Sequence, residues 1–183
     1  GYTSTIDGSN ITNTHKTEET EVSVTKVWKD GNNQDGLRPE SVSVQLYANG
    51  TSMADPVVLN EANSWTYTWK NLDKNHAGST VDYSVDETNI PDGYTKKIVG
   101  SNSKGFVITN SHTPLLTSIS GKKRWIDARN QDGVRPDSIT VNLLADGKKV
   151  ASMEATETDD WAYSFDELPK YNDGHEIIYS VIE

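Results

Sequence analysis

VSVTKVW, residues 22–28, alternates as a strand that buries one face. Val22, Val24, Lys26 and Trp28 point the same way. Three of the four are apolar, so theirs is the core face, and Lys26 lies where a charge is out of place. An unpaired charge there costs on the order of several kcal/mol, about what a whole domain has to spare. Something must neutralise it, pair it or consume it.

The rest of the chain supplies partners, and supplies most of them twice. VTKVWKDGNNQDGLRPESVSVQLYANG (24–50) returns as GKKRWIDARNQDGVRPDSITVNLLADG (121–147). Lys26 recurs as Lys123 and Trp28 as Trp125, a constant offset of 97 residues (123 − 26). NSWTYTW (63–69) returns as DDWAYSF (159–165), and VDYSVDE (81–87) as IIYSVIE (177–183). The period is too long for a solenoid and reads as tandem globular domains.

Each segment alternates. Val42, Val44 and Leu46 share a face, as do Ile139, Val141 and Leu143; Trp65, Tyr67 and Trp69 match Trp161, Tyr163 and Phe165. Short alternating strands separated by NG, DG and AG turns predict an all-β fold of antiparallel sandwich domains. KNLDKNHAG and DELPKYNDG are the places where a single helical turn is expected. The composition agrees: 33% hydrophobic residues with 5 Trp and 8 Tyr suit thin aromatic cores. A formal net charge of −10 repels nucleic acid and anionic membranes. The chain has no cysteine, which excludes disulfides, thiolate metal sites and Cys nucleophiles. No apolar run approaches membrane-spanning length and no secretory leader is visible, so a soluble piece is expected, cut from something larger.

Asp30, Asn32 and Gln34 have the odd spacing of a calcium loop. The glycine, Gly36, falls one place late, and Ser41 stands where a glutamate is needed. The favoured reading is a polar loop braced by Arg38-Pro39, with Arg135-Pro136 as its equivalent; no metal or cofactor is expected. His15, His76, His112 and His175 are scattered, and no nucleophile–base pair repeats, so a turnover enzyme is not expected. His15 and His112 are repeat equivalents at strand ends, expected to be exposed.

The alternation rule turns two more polar residues inward. Tyr83, Val85 and Glu87 share a face, as do Phe106, Ile108 and Asn110. In the second copy Ile119, Lys123 and Trp125 share a face, and Tyr179, Val181 and Glu183 repeat the Glu87 pattern. One core should hold a Lys, a Glu and an Asn. Removing an amine and a carboxyl from water favours the neutral form of both. A neutral amine is a nucleophile and an amide carbon an electrophile. A protonated carboxyl can polarise the amide oxygen and pass protons to the departing ammonia. The product would be an Nζ–Cγ amide. On residue types alone, a buried Lys–Glu ion pair with Asn as a hydrogen-bond partner is the more ordinary outcome.

Both copies resemble the B-type repeat domains of Gram-positive collagen adhesins and pilins, the Cna B-like family. The matching text is K-x-W-x-D-x-x-N-Q-D-G-x-R-P near the start, Y-S-V-x-E late and I-T-N-x-H at the end. The resemblance covers nearly the whole chain. It implies immunoglobulin-like sandwiches, a cell-wall or cell-surface location, and a spontaneous isopeptide bond between Lys26 and Asn110 aided by Glu87.

The second copy has Lys123 and Glu183, but the expected last strand and its asparagine are not found after them. GYTSTIDGSNITNTH (1–15) matches GYTKKIVGSNSKGFVITNSH (93–112), and Asn13 lies 97 before Asn110 (110 − 13). The expected organisation is a last strand at 1–15, a linker at 16–20, a complete domain at 21–114 and a domain lacking its last strand at 115–183. Residues 1–15 are the natural filler by strand addition. The linker reaches about 17 Å, whereas such a domain is roughly 35–40 Å long. The expectation is therefore head-to-tail filling between chains, Asn13 of one bonding Lys123 of the next, with Glu183 as its proton shuttle. The alternative is a clipped portion of a longer array. The expected role is a structural stalk or spacer; the alternative is an adhesion module gripping a host matrix protein. No loop carries a clustered aromatic or Arg hot spot for that, and in the resembled adhesins ligand binding sits in a region not present here.

Overall fold

The computed structural model describes residues 1–183. The strands run in order β1 (Thr3–Asp7), β2 (Asn10–Thr14), β3 (Glu19–Lys29), β4 (Ser41–Ala48), β5 (Thr51–Asn60), β6 (Thr66–Asp73), β7 (Asn75–His76), β8 (Ser79–Thr80), β9 (Tyr83–Glu87), β10 (Thr95–Ser101) and β11 (Gly105–Ser111). They continue as β12 (Leu116–Lys122), β13 (Ser138–Ala145), β14 (Lys148–Thr156), β15 (Ala162–Pro169), β16 (Tyr171–Asn172), β17 (His175–Glu176) and β18 (Tyr179–Ile182). The chain divides into two compact units, one of residues 1–29 and 39–111, the other of 30–38 and 112–183.

In the first unit a four-stranded sheet, β10-β11-β3-β6, faces a three-stranded sheet, β5-β4-β9. The core between them is built from Val22 and Val24 of β3, Phe106 and Ile108 of β11, and Trp69 and Leu72 of β6. Across from these lie Val42, Val44 and Leu46 of β4 and Tyr83 and Val85 of β9. All pairings are antiparallel except one: β11 runs parallel to β3, with Ile108 beside Lys26 and Asn110 beside Trp28. Alternation fails in β6, where the buried Trp69 and Leu72 stand three apart across Asn71 at positive φ, and again in β4. The β4–β5 register slips between Val44 and Leu46, and Gln45 is buried with them. Its amide donates to the carbonyls of Leu46 and Met53 at 2.9 and 2.8 Å, so burial leaves the amide nitrogen satisfied.

The second unit has β14-β13-β18 in one layer and only β12-β15 in the other. Its core holds Ile139, Val141, Leu143, Ala155, Trp161 and Phe165. Nothing in this unit stands where β10 and β11 stand in the first. The hairpin β1–β2 pairs only with itself, Ser4 opposite Asn13, and all its strand residues are exposed.

The helical turns expected in KNLDKNHAG and DELPKYNDG are not formed. Those segments make the small hairpins β7–β8 and β16–β17. Ala77-Gly78 and Asp173-Gly174 supply the two consecutive positive φ angles that a two-residue hairpin turn demands, and this outweighs helix formation. The helical turn that does form is a 3-10 turn at Glu61–Asn63. Asn60 caps it, and the Asn63 side chain bonds back to the Asn60 backbone.

Candidate functional site

The period-2 pleat of β3 turns Lys26 toward the core next to Val24, and β11 brings Asn110 in on the same sheet. Glu87, the last residue of β9, arrives from the opposing sheet, where it pairs with Val44 of β4. The trio is sealed: Lys26, Glu87 and Asn110 are 4%, 2% and 0% exposed. Glu87 bridges the other two. Its Oε2 lies 3.5 Å from Lys26 Nζ, and its Oε1 accepts a hydrogen bond from Asn110 Nδ2 at 2.8 Å. Glu87 Oε1 thus faces the amide nitrogen of Asn110. Asn110 Oδ1 and Glu87 Oε2 are buried without a hydrogen bond.

Aromatic rings and backbone fix the lysine. Lys26 Nζ lies 4.1 Å from the centre of the Trp28 ring, which meets Trp65 and Tyr94 edge-on at 5.3 and 5.2 Å. Ser64 and Trp65 take positive φ, and the Trp65 carbonyl there accepts the Lys26 N–H at 2.8 Å. The sequence reading missed Tyr94, although the GY pair at 93–94, repeated at 1–2, was a signal. It also missed Lys96, the cross-strand neighbour of Asn110. Lys96 Nζ pairs with the Asp86 carboxylate and donates to the Glu87 carbonyl at 3.1 Å, which fixes the end of β9.

The second unit repeats half of this. Lys123 N–H donates to Trp161 O at 2.9 Å, Trp125 meets Trp161 at 5.1 Å, and Lys123 Nζ lies 4.7 Å from the Trp125 ring. Lys123 Nζ donates to Glu183 Oε2 at 2.6 Å, but the two side chains are 27% and 49% exposed. Asn13 is not beside them. It sits exposed on β2 and accepts a hydrogen bond from Ser4 Oγ at 2.8 Å.

The calcium-like spacing serves another purpose. Arg38 grips Asp30 with two hydrogen bonds at 3.0 and 2.6 Å, and the Asn33 side chain accepts the Arg38 N–H at 2.8 Å. Asp127, Asn130 and Arg135 reproduce these bonds in the second copy. There the hydrogen-bonded Arg135 guanidinium holds the Asp127 carboxyl below its ordinary value. His112 departs from expectation: it is half-buried, its Nε2 2.8 Å from Asp35 Oδ2. The buried Asp35 carboxylate draws the ring in. His15, His76 and His175 are exposed.

The pattern of the Cna protein B-type domain matches this chain twice, over residues 22–111 and 119–183. The chain belongs to the Cna protein B-type domain family. A collagen adhesin of Staphylococcus aureus is 46% identical over 182 residues, all of this chain but 15% of that protein. The crystal structure of two B repeat units of the Staphylococcus aureus collagen binding protein superposes with a TM-score of 0.85 at 44% identity. That match covers 98% of this chain and 48% of that one, so the chain spans about half of the solved pair. B-type domains are structural parts of adhesins rather than enzymes.

Proposed function

We propose that this chain is a pair of self-cross-linking stalk repeats from a Gram-positive cell-surface adhesin or pilin-like protein. The observation that carries this reading is the sealed trio in which one carboxyl touches both the amine and the amide nitrogen. Glu87 Oε2 takes a proton from the Lys26 amine as Nζ attacks Asn110 Cγ. The carboxyl then turns to bring that proton to Nδ2, which Glu87 already contacts, and the Cγ–Nδ2 bond breaks as the leaving nitrogen takes it up. One Nζ–Cγ amide forms and one ammonia departs; Glu87 is unchanged. Two awkward buried groups become a neutral cross-link between β3 and β11. The reaction happens once and needs no cofactor.

The same logic supports joining between chains. In the first unit β3 has neighbours on both sides, β6 and β11; in the second, β12 has only β15. The hairpin β1–β2 carries the matching strand with Ile6 and Ile11 exposed, where the equivalent Ile108 is buried. Filling the second unit with this hairpin from another copy sets Asn13 beside Lys123 and Glu183 and buries all three. The likeness to the staphylococcal collagen adhesin supports a cell-surface location.

Intact mass spectrometry tests the reading. Wild type should be lighter than its sequence by one ammonia per bond, and Lys26→Ala or Glu87→Gln should restore the ammonia of the first unit. A denaturing gel should show a ladder that Lys123→Ala removes. A wild-type mass equal to the unreacted sequence overturns the cross-link.

A further inference from the structure

The loop carrying the N-Q-D-G motif is present twice, with different surroundings. Residues 30–38 belong to the second compact unit, and their contacts there are specific. The buried Asp35 carboxylate accepts the Leu115 N–H at 2.9 Å and pairs with His112 at 2.8 Å. Gln34 O accepts the Gly174 N–H at 3.1 Å. Gly36 approaches Gly174 so closely that a Cβ on Gly36 would lie 2.5 Å from the Gly174 Cα.

The second loop, 127–135, has the same internal bonds and the same backbone. Gly31, Asn32, Asn33 and Gly36 have φ of 61°, 60°, 62° and 69°; Ala128, Arg129, Asn130 and Gly133 have 50°, 63°, 62° and 65°. Yet Gln131, Asp132 and Gly133 are exposed, and nothing lies within 4 Å of a Cβ on Gly133. The loop has the shape of the first, with its outward groups exposed.

What it should hold can be read from the first loop. The partners His112, Leu115 and Gly174 have equivalents in His15, Glu18 and Gly78, all exposed. These are preformed too. Lys74 N–H donates to Glu18 O at 3.0 Å as Lys170 N–H does to Leu115 O at 2.9 Å, and the turns at Gly78 and Gly174 share φ of 81° and 76°. One altered pair changes on both sides. Gly31, where a Cβ would meet Pro114 at 2.9 Å, becomes Ala128, and the ring it would strike becomes Thr17.

We propose that the 127–135 loop of one copy clasps the start of a second copy of this chain. Asp132 takes the Glu18 N–H and the His15 ring, and Gly133 seats against Gly78. The clasp deepens the head-to-tail reading above. Residues 1–15 that fill the second unit lead directly into His15–Glu18, so the filling strand and the clasped segment are continuous.

The test uses the full chain carrying Lys123→Ala, which forms no covalent joint, and follows reversible association by sedimentation across concentrations. Adding Asp132→Ala should weaken association by about tenfold, the loss of charge-assisted hydrogen bonds. Gly133→Asn should weaken it similarly, because asparagine tolerates the positive φ and its Cβ meets nothing until a partner docks. Association unchanged by both substitutions overturns the clasp, as does a Lys123→Ala chain that stays monomeric throughout. The wild-type gel reads the joint separately. No ladder with Asp132-dependent association removes the joint and keeps the clasp; a ladder with Asp132-independent association does the reverse.

Discussion

Lys26 and Lys123 occupy the same place in the same motif, over the same tryptophan, with the same backbone bond to a second tryptophan. Yet the Lys26 side chain is fully buried and that of Lys123 is 27% exposed. The difference lies in β11. In the first unit that strand covers the inner edge of β3 and sets Phe106, Ile108 and Asn110 against the core. In the second its place is open, and Glu183 pairs with Lys123 in reach of water. A surface pair of that kind is worth little. The local sequence therefore positions the lysine, and the last strand makes its environment.

The largest effect expected from breaking this contrast is on the first unit. Asn110→Ala leaves Lys26 and Glu87 buried without the acceptor of the proposed bond. By analogy with a disulfide, that bond between residues 26 and 110 would contribute about 4–5 kcal/mol through the unfolded state. Calorimetry should show the first unit's transition falling steeply while the second unit's stays in place.

A sharper version concerns the open side. Ile11 is 69% exposed, whereas its equivalent Ile108 is fully buried. Ile11→Asp should leave the melting of the first unit unchanged within about 0.5 kcal/mol. It should nonetheless suppress the ladder, because a charge would have to enter the second unit's core. A gel as intense as wild type would show that the hairpin is not the filler.

The contrast was partly legible beforehand. Period-2 alternation turns Lys26, Glu87 and Asn110 inward from sequence alone, because a strand has two faces and the core is apolar. Alternation says nothing about which strands become neighbours. The parallel β3–β11 pair and the approach of Glu87 from the opposing sheet were therefore beyond it. Nor does it reach residues whose geometry depends on positive φ, such as Ser64 and Trp65. The expected helical turns failed for the same reason, since Ala77-Gly78 and Asp173-Gly174 are turn residues first. Sequence alone leaves His112 exposed because its partner, Asp35, is 77 residues away in the chain.

The smallest effect should come from the loop brace. Asp30 in the first copy is 1% exposed in its side chain, Asp127 in the second 28%. The hydrogen-bonded Arg135 lowers the Asp127 pKa below the ordinary 3.8. A depressed carboxyl pKa means the brace contributes fully above that ordinary value and is lost as pH falls through the lowered one. The Asn130 and Arg135 amide signals should move together in an NMR acid titration below pH 4, and Asp127→Asn should abolish the shared step.

Because β3 and β11 run side by side in the same direction, the polypeptide enters the first unit at one pole and leaves at the other. Were Lys26 and Asn110 fused as proposed, tension between those poles would cross a covalent rung, and the hydrogen-bonded remainder would never have to yield. Such a thread has almost no slack to give: it would not pay out length under flow as a string of unfolding domains does, and a tug at its tip would reach its root undiminished.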